Sequence, residues 1–300
     1  MPFFLGEIRS QPLEPIILMI EFRDATFSYP SLKSPPRPVF AGLNLFISRG
    51  RYVAVMGPNG SGKSTLGKMI KGLLSSSSGQ VLIGGQALKP GEISPRVGYI
   101  FSNPENQIVS SVVEEDVAFG LENMGMDPSA MAFRVRESLR LVGMEKYRHH
   151  SPHFLSGGEQ QKVLLAGILA MESEVFVLDE PTSMLDLKDR KEILDLFQKI
   201  QGRGETTLLL ITHSFEEALR AQDLLYLDQG RVSFYGPVED FFYRDRLPDS
   251  SLGELPPLFR LIQGLRSLGH PIPSEMRSLE ELKKTLIEIK NSESRIQNPK

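Results

Sequence analysis

Three features of the sequence predict an α/β fold built on a parallel sheet covered on both faces. Runs such as Tyr52-Val53-Ala54-Val55-Met56, Val175-Phe176-Val177-Leu178 and Thr207 to Thr212 are short and apolar throughout, with no solvent-facing alternation. Helical stretches separate them, the order expected when crossover helices cover a parallel sheet. A glycine-rich turn, Gly57 to Gly62, directly follows the first run and opens a helix. The 300 residues, 40% hydrophobic and 24% charged, suit one large domain plus an appendage.

The N-terminal part alternates and turns. Ile20 to Tyr29 and Gly42 to Ile47, on either side of a proline-rich loop at Pro30 to Pro38, predict antiparallel strands. Residues 1–18 form an N-terminal extension, read either as the product of a misplaced start, with Met19 as the natural first residue, or as a genuine extension. The strand at 52–56 feeds a helix from about Ser64 to Leu74, and the serines from Ser75 to Ser78, closed by Gly79, predict a plain turn.

From about 104 to 170 the pattern is helical. Asp127 and Pro128 make an N-cap and first-turn pair, Val135, Leu139 and Val142 recur at helical spacing, and Gly143 supplies a stop. After the 175–178 strand, a polar helix runs to about Gln201, and Asp228-Gln229-Gly230 turns the chain into Arg231 to Tyr235. Leu247 to Pro257 reads as a linker. Beyond it Leu258, Leu261, Ile262, Leu265 and Leu268 form one stripe, and Ser278 with Glu281 forms a capping box for a helix carrying Leu282, Leu286 and Ile289. Two short amphipathic helices must bury their stripes on the core, on each other or on a partner. No internal repeat is present.

Composition excludes several functions. A formal net charge of -3 argues against a basic face for nucleic acid. With no cysteine there is no disulfide framework, thiolate metal site or thiol catalysis, and a reducing compartment fits. No apolar run reaches the ~18 residues needed to cross a bilayer, so a membrane role requires partner subunits. His149, His150 and His153 match no tight ligand spacing and read as loop residues.

The chemistry-bearing residues sit at strand ends. Gly57-Pro58-Asn59-Gly60-Ser61-Gly62-Lys63-Ser64, followed by Thr65, satisfies G-x-x-x-x-G-K-[ST] with a strand before and a helix after. Such a loop turns successive backbone N–H groups around a β-phosphate, at a helix N-terminus of positive potential. Lys63 would reach the β- and γ-phosphates, and the Ser64 hydroxyl would ligate Mg²⁺. Asp179 and Glu180 end an apolar strand, where ligands collect in open α/β sheets. Asp179 fits a metal-holding role, and Glu180 is placed to orient or deprotonate an attacking water. Ser156, Gly157 and Gly158 open another helix, either as an ordinary serine cap or as a clasp for a γ-phosphate held by a second subunit. His213 follows the 207–212 strand, where it could hydrogen-bond the γ-phosphate. Tyr29 has two open readings, an adenine-stacking ring or a turn residue covering the core.

Taken together over about 19–236, these residues resemble the ATP-binding-cassette (ABC) ATPase subunits. Walker A lies at Gly57 to Thr65, the signature at Leu155 to Glu159, Walker B at Val175 to Asp179, the D-loop at Ser183 to Asp186 and the switch histidine at His213. The resemblance implies a P-loop NTPase cassette over 19–240: a RecA-like parallel-sheet core, an antiparallel β subdomain and a helical subdomain at about 104–170. A small C-terminal helical dimerisation extension would occupy 241–300. Implied with it are ATP and Mg²⁺, hydrolysis by Lys63, Glu180 and His213, and a second ATPase subunit, identical or different, whose signature loop covers this chain's nucleotide.

Asn103 to Val109, Val113 to Gly120, His150 to His153 and the tail from Leu255 to Leu286 are similar to the energy-coupling factor (ECF), cobalt-type, ATPases. That narrower resemblance implies an importer for vitamins or metal ions, with a membrane T component and a substrate-binding S component, at the cytoplasmic face of the cell membrane. The alternatives kept open are the ATPase of another ABC transporter and a slow or regulatory partner in an unequal pair. Two positions depart from the pattern. Ser102 stands where the family has the Q-loop glutamine, too short to reach Mg²⁺ from the same backbone position, and Gln107 is no automatic substitute. Glu159 replaces a signature glutamine, which requires its carboxylate to point away from a neighbouring triphosphate or to pair with a cation such as Lys162.

Overall fold

A computed structural model describes residues 18–30, 38–202, 204, 206–242, 257–273 and 279–297. In chain order the elements begin with strands β1 (Leu18–Ser28), β2 (Pro38–Ser48) and β3 (Tyr52–Met56), helix α1 (Lys63–Lys71), and strands β4 (Ser78–Ile83), β5 (Gln86–Ala87) and β6 (Val97–Ile100). Helices α2 (Val113–Asn123), α3 (Pro128–Leu141) and α4 (Gly157–Ala170) follow, then β7 (Val175–Asp179), α5 (Leu187–Gln201), β8 (Thr207–Ile211) and α6 (Phe215–Ala218). The described chain closes with β9 (Asp223–Asp228), β10 (Arg231–Pro237), α7 (Val238–Phe242), α8 (Pro257–Ser267) and α9 (Leu279–Gln297).

The core sheet has the order β10-β9-β3-β8-β7-β6, parallel except for the antiparallel edge strand β10. Its apolar strands follow from burial on both faces. Tyr52, Ala54 and Met56 of β3, with Phe176 and Leu178 of β7, face a cluster shared with α2, α3, α4 and α5. The alternate residues Val53, Val55, Val175 and Val177 face a second cluster with α1 and the antiparallel sheet, so every position of these strands meets a core.

That second sheet has the order β2-β1-β4-β5 and is antiparallel throughout. It differs from the sequence expectation at β4, which begins inside the serine run: Ser78 pairs with Thr26, and the turn ends before it. Its Gly79 is left-handed, φ 72°, and a Cβ there would meet the Asp24 carbonyl oxygen at 2.1 Å, so the irregular pairing needs glycine. Leu18 pairs with Ser48, while residues 1–17 lie outside the described chain.

Arg96 joins the two sheets. Its guanidinium donates to both carboxylate oxygens of Glu174, at 2.6 and 3.1 Å, and to the Ile83 carbonyl at 2.8 Å. Helix α1 ends earlier than expected, because Gly72 adopts φ 87° and caps it. At the C-terminal end Pro257 opens α8 rather than belonging to a linker. Ile262, Ile272 and Leu282 form a small core with Leu258, Leu265, Leu286 and Ile289, and Phe259 reaches into the main core. Leu261 and Leu268, expected in that stripe, are exposed, which leaves the buried face narrower than the sequence pattern implied. Ser278, the expected cap of α9, lies outside the described residues. No described helix is long and apolar enough to cross a membrane.

Candidate functional site

The loop between β3 and α1 takes its shape from glycines that no other residue can replace. Gly57 has φ 142°, and a Cβ there would lie 2.0 Å from the Leu227 carbonyl oxygen; Gly62 has φ 108°, with the Phe40 ring 2.7 Å from the same position. Between them Pro58, Asn59, Gly60 and Ser61 make a turn closed by the Ser61 N–H donating to the Pro58 carbonyl at 3.1 Å. The loop delivers the chain into α1, whose first turn carries no acidic residue, so its N–H groups present an undiluted positive end. Lys63 is buried there, its ammonium donating to the carbonyls of Gly57 at 2.8 Å and Pro58 at 3.0 Å. The Ser61 hydroxyl is buried without a hydrogen-bond partner.

The ends of β7 and β8 meet the same loop. Ser64 donates its hydroxyl to Asp179 Oδ1 at 3.1 Å, joining α1 to β7 across 115 residues of sequence. Paired hydroxyl and carboxylate oxygens are the hard donors Mg²⁺ takes, and the buried, unpartnered Ser61 hydroxyl beside a lysine suits a phosphate, so the residues present fit both groups. Glu180 follows in a left-handed conformation, φ 50°, fixed by its N–H donating to the Ile211 carbonyl of β8 at 3.0 Å. That turn brings its Oε1 within 3.1 Å of His213 Nε2. Tyr29 lies just past β1, half exposed, with its hydroxyl 3.1 Å from Thr65 Oγ1 and its ring edge-on to Phe27.

Tyr99 was not foreseen. Its hydroxyl donates to Asp179 Oδ2 at 2.8 Å, so both oxygens of that carboxylate are engaged. Burial first, and the Asp179 charge second, push the phenol well above its ordinary range, so it remains a donor at every working pH. An apolar-looking strand position and an 80-residue separation left no local signal for it.

The 156–158 loop belongs to a different arrangement. Ser156 is the N-cap of α4, and with Glu159 it completes a capping box: the Glu159 N–H donates to Ser156 Oγ at 3.3 Å, and the Ser156 N–H donates to Glu159 Oε2 at 3.0 Å. The Ser156 N–H bond first, and hydroxyl partners after it, hold the Glu159 carboxyl below its usual range. Lys162 pairs instead with Glu192 of α5 at 2.7 Å. A Cβ on Gly158 would lie 2.4 Å from Asp189 Oδ2, so that glycine lets α4 pack against the start of α5, whereas one on Gly157 would make only an ordinary contact with Leu185.

Ser102 is exposed at the end of β6. Gln107 does not take its place: its side chain clamps the strand end, donating to the Tyr99 carbonyl at 2.9 Å and accepting from the Phe101 N–H at 3.0 Å. Of the three loop histidines, His149 Nδ1 lies 2.8 Å from Glu114 and His150 packs edge-on to Tyr147.

The sequence matches the ABC transporter family over residues 40–183. It is 37% identical over 276 residues to the energy-coupling factor transporter ATP-binding protein EcfA1 of Clostridium novyi, covering 91% of this chain and 99% of that one. The EcfA1 protein of Symbiobacterium thermophilum is 41% identical over 261 residues, covering 85% and 91% respectively. Among solved structures, cbiO1 from Clostridium perfringens, part of the ABC transporter complex cbiONQ, superimposes with a TM-score of 0.69 at 29% identity, covering 82% of this chain and 99% of that one. A dimeric ATP-binding cassette in a post-hydrolysis state, bound to ADP and Pi, gives 0.65 at 27% identity, covering 73% and 99%.

Proposed function

The chain belongs to the energy-coupling factor ATP-binding proteins of the ABC transporter family, and from that membership we propose how its residues divide the work and what it assembles with. It is an ATPase subunit that energises an ECF-type importer. The observation that carries the residue assignment is the meeting of Glu180 with His213 at 3.1 Å, beside Ser64 and Asp179.

In this reading the 57–65 loop and the N-terminus of α1 cradle the phosphates, and Lys63 exchanges its carbonyl partners for the β- and γ-phosphate oxygens. Tyr29 stacks on adenine. Ser64 and Asp179 would hold Mg²⁺, which would offset negative charge on the phosphates. Glu180 orients a water for attack on the γ-phosphorus and accepts its proton as the bond to the β-phosphate oxygen breaks. The His213 Nε2–H is shared between that carboxylate and a γ-phosphate oxygen, which holds the two in line. Such chemistry depends on position and charge, so each group acts through where it is held. Ser156, Gly157 and Gly158 would complete the nucleotide site of a second cassette, identical or different. Binding would draw two cassettes together, and hydrolysis would release them. The pair would sit at the cytoplasmic face of the membrane, under a T component with an S component that captures a vitamin or metal ion.

Glu180→Gln keeps the size of the side chain and removes the base. We expect ATP-dependent pairing to survive while phosphate release falls by on the order of 100-fold or more. Unchanged phosphate release from the purified mutant assembly overturns the assignment. The exposed Ser102, with Gln107 committed to β6, favours a second reading in which this chain supplies the slower site of an unequal pair. Ser102→Gln then raises turnover; an unaltered rate shows the position to be neutral.

A further inference from the structure

We propose that Glu217 is a positioning residue for hydrolysis, holding the Glu180 and His213 loops in register through two threonine hydroxyls. The inference rests on the roles given above to Glu180 and His213. Glu217 lies on the short helix α6 and is only 4% exposed. Its Oε1 accepts the Thr182 hydroxyl at 2.7 Å, and its Oε2 accepts the Thr212 hydroxyl at 2.6 Å. Thr182 stands two residues after Glu180, in the loop leaving β7. Thr212 immediately precedes His213, at the end of β8. One planar carboxylate therefore bonds to both loops that carry the reacting pair.

The surroundings reinforce this clamp. The Ser214 N–H donates to Thr212 Oγ1 at 3.0 Å, and the Glu217 N–H donates to Ser214 Oγ at 3.4 Å, so the turn from 212 to 217 closes on itself. Arg190 of α5 places Nε 3.7 Å from Glu217 Oε1, too far for a hydrogen bond but close enough to offset its charge. Thr182 and Thr212 are themselves buried. A buried carboxylate is costly, and an apolar side chain would fill the same space at less expense. What an apolar residue cannot do is accept one bond from each of two loops. The loops are joined directly by the Glu180 N–H to Ile211 carbonyl bond, and Glu217 adds a second tie through Thr182 and Thr212. With two ties the Glu180 to His213 distance cannot change by a hinge about either one.

Glu217→Met keeps the length of the side chain but has no carboxylate to accept either threonine hydroxyl, so both ties are lost, whereas the amide of a glutamine could donate to a threonine oxygen and keep one in reverse. In the purified full-length assembly we expect kcat for ATP hydrolysis to fall on the order of 10- to 100-fold. The affinity for a fluorescent ATP analogue should stay within about twofold, because the 57–65 loop is untouched. Thr182→Val should lose rate as well, Thr182→Ser should retain it, and Thr182→Val combined with Glu217→Met should cost little beyond Glu217→Met alone. Wild-type kcat in Glu217→Met, or strictly multiplicative losses in the double variant, would overturn the inference. So would equal losses of kcat, nucleotide affinity and melting temperature, the mark of a general packing role. Glu180→Gln run in parallel separates the two levels: if it alone hydrolyses normally, the reading of the dyad fails, whereas an inactive Glu180→Gln beside an active Glu217→Met defeats only the clamp.

Discussion

At Tyr99 a buried phenol donates to a carboxylate that also accepts Ser64, and this is where a single hydroxyl can be weighed. Tyr99→Phe keeps the ring and leaves Asp179 Oδ2 without its donor. A hydrogen bond to a charged acceptor contributes about 1.5–3 kcal/mol, so guanidinium unfolding should show a loss of that size. A shift below ~0.5 kcal/mol would mean that water replaces the phenol. Glu159 makes the complementary case. Its carboxylate caps its own helix, so Glu159→Gln, which can still cap, should leave stability and hydrolysis near the wild type. Glu159→Ala should cost about 0.3–1.5 kcal/mol in an unfolding titration. The sequence made Lys63, Ser64, Asp179 and Glu180 legible because local spacing defines their motif. Tyr99 and Thr182 escaped because their partners lie 80 and 35 residues away and nothing nearby announces them. Glu159 is legible as a departure from the family pattern, but its Ser-x-x-Glu spacing from Ser156, rather than its charge, decides its role.

Among the elements, long helical periods and continuous apolar runs were readable, and short strands carrying serine or glycine were not. The α5 and β7 patterns carry their own burial signal, and their ends fell close to expectation. Strand β4 begins in serines, and β6 has only four residues, so neither shows an alternation long enough to recognise. Both nevertheless matter to the site, since β6 carries Tyr99, and Arg96, which bridges Glu174 at the start of β7, also bonds the Ile83 carbonyl of β4. Arg96 holds the Glu174 carboxyl below its ordinary value of 4.5. A depressed folded value means that the bridge's contribution is complete above 4.5 and is lost as pH falls through that lower value. Melting temperature should therefore drop less steeply on acidification below 4.5 in Glu174→Gln than in the wild type. Parallel curves would show that the bridge contributes no pH-dependent stability.

Across the whole molecule, the cassette and its tail are joined through α8, where Phe259 enters the main core and Ile262 enters the small one. Ile262→Asp places a charge in the small core only. Limited proteolysis should then cut within the last forty or so residues while ATP-analogue affinity stays unchanged; resistance equal to the wild type would show that the tail needs no core of its own. The left-handed backbone at Glu180 has a consequence on the same scale. A side chain held at positive φ costs about 1–2 kcal/mol, and glycine would relieve that strain. Glu180→Gly should consequently melt above the active protein while hydrolysing nothing, and a lower melting temperature would show that the left-handed turn stores no strain. The most thermally robust form of this chain and its working form would then be different molecules, and selection for heat resistance alone would drift toward loss of activity.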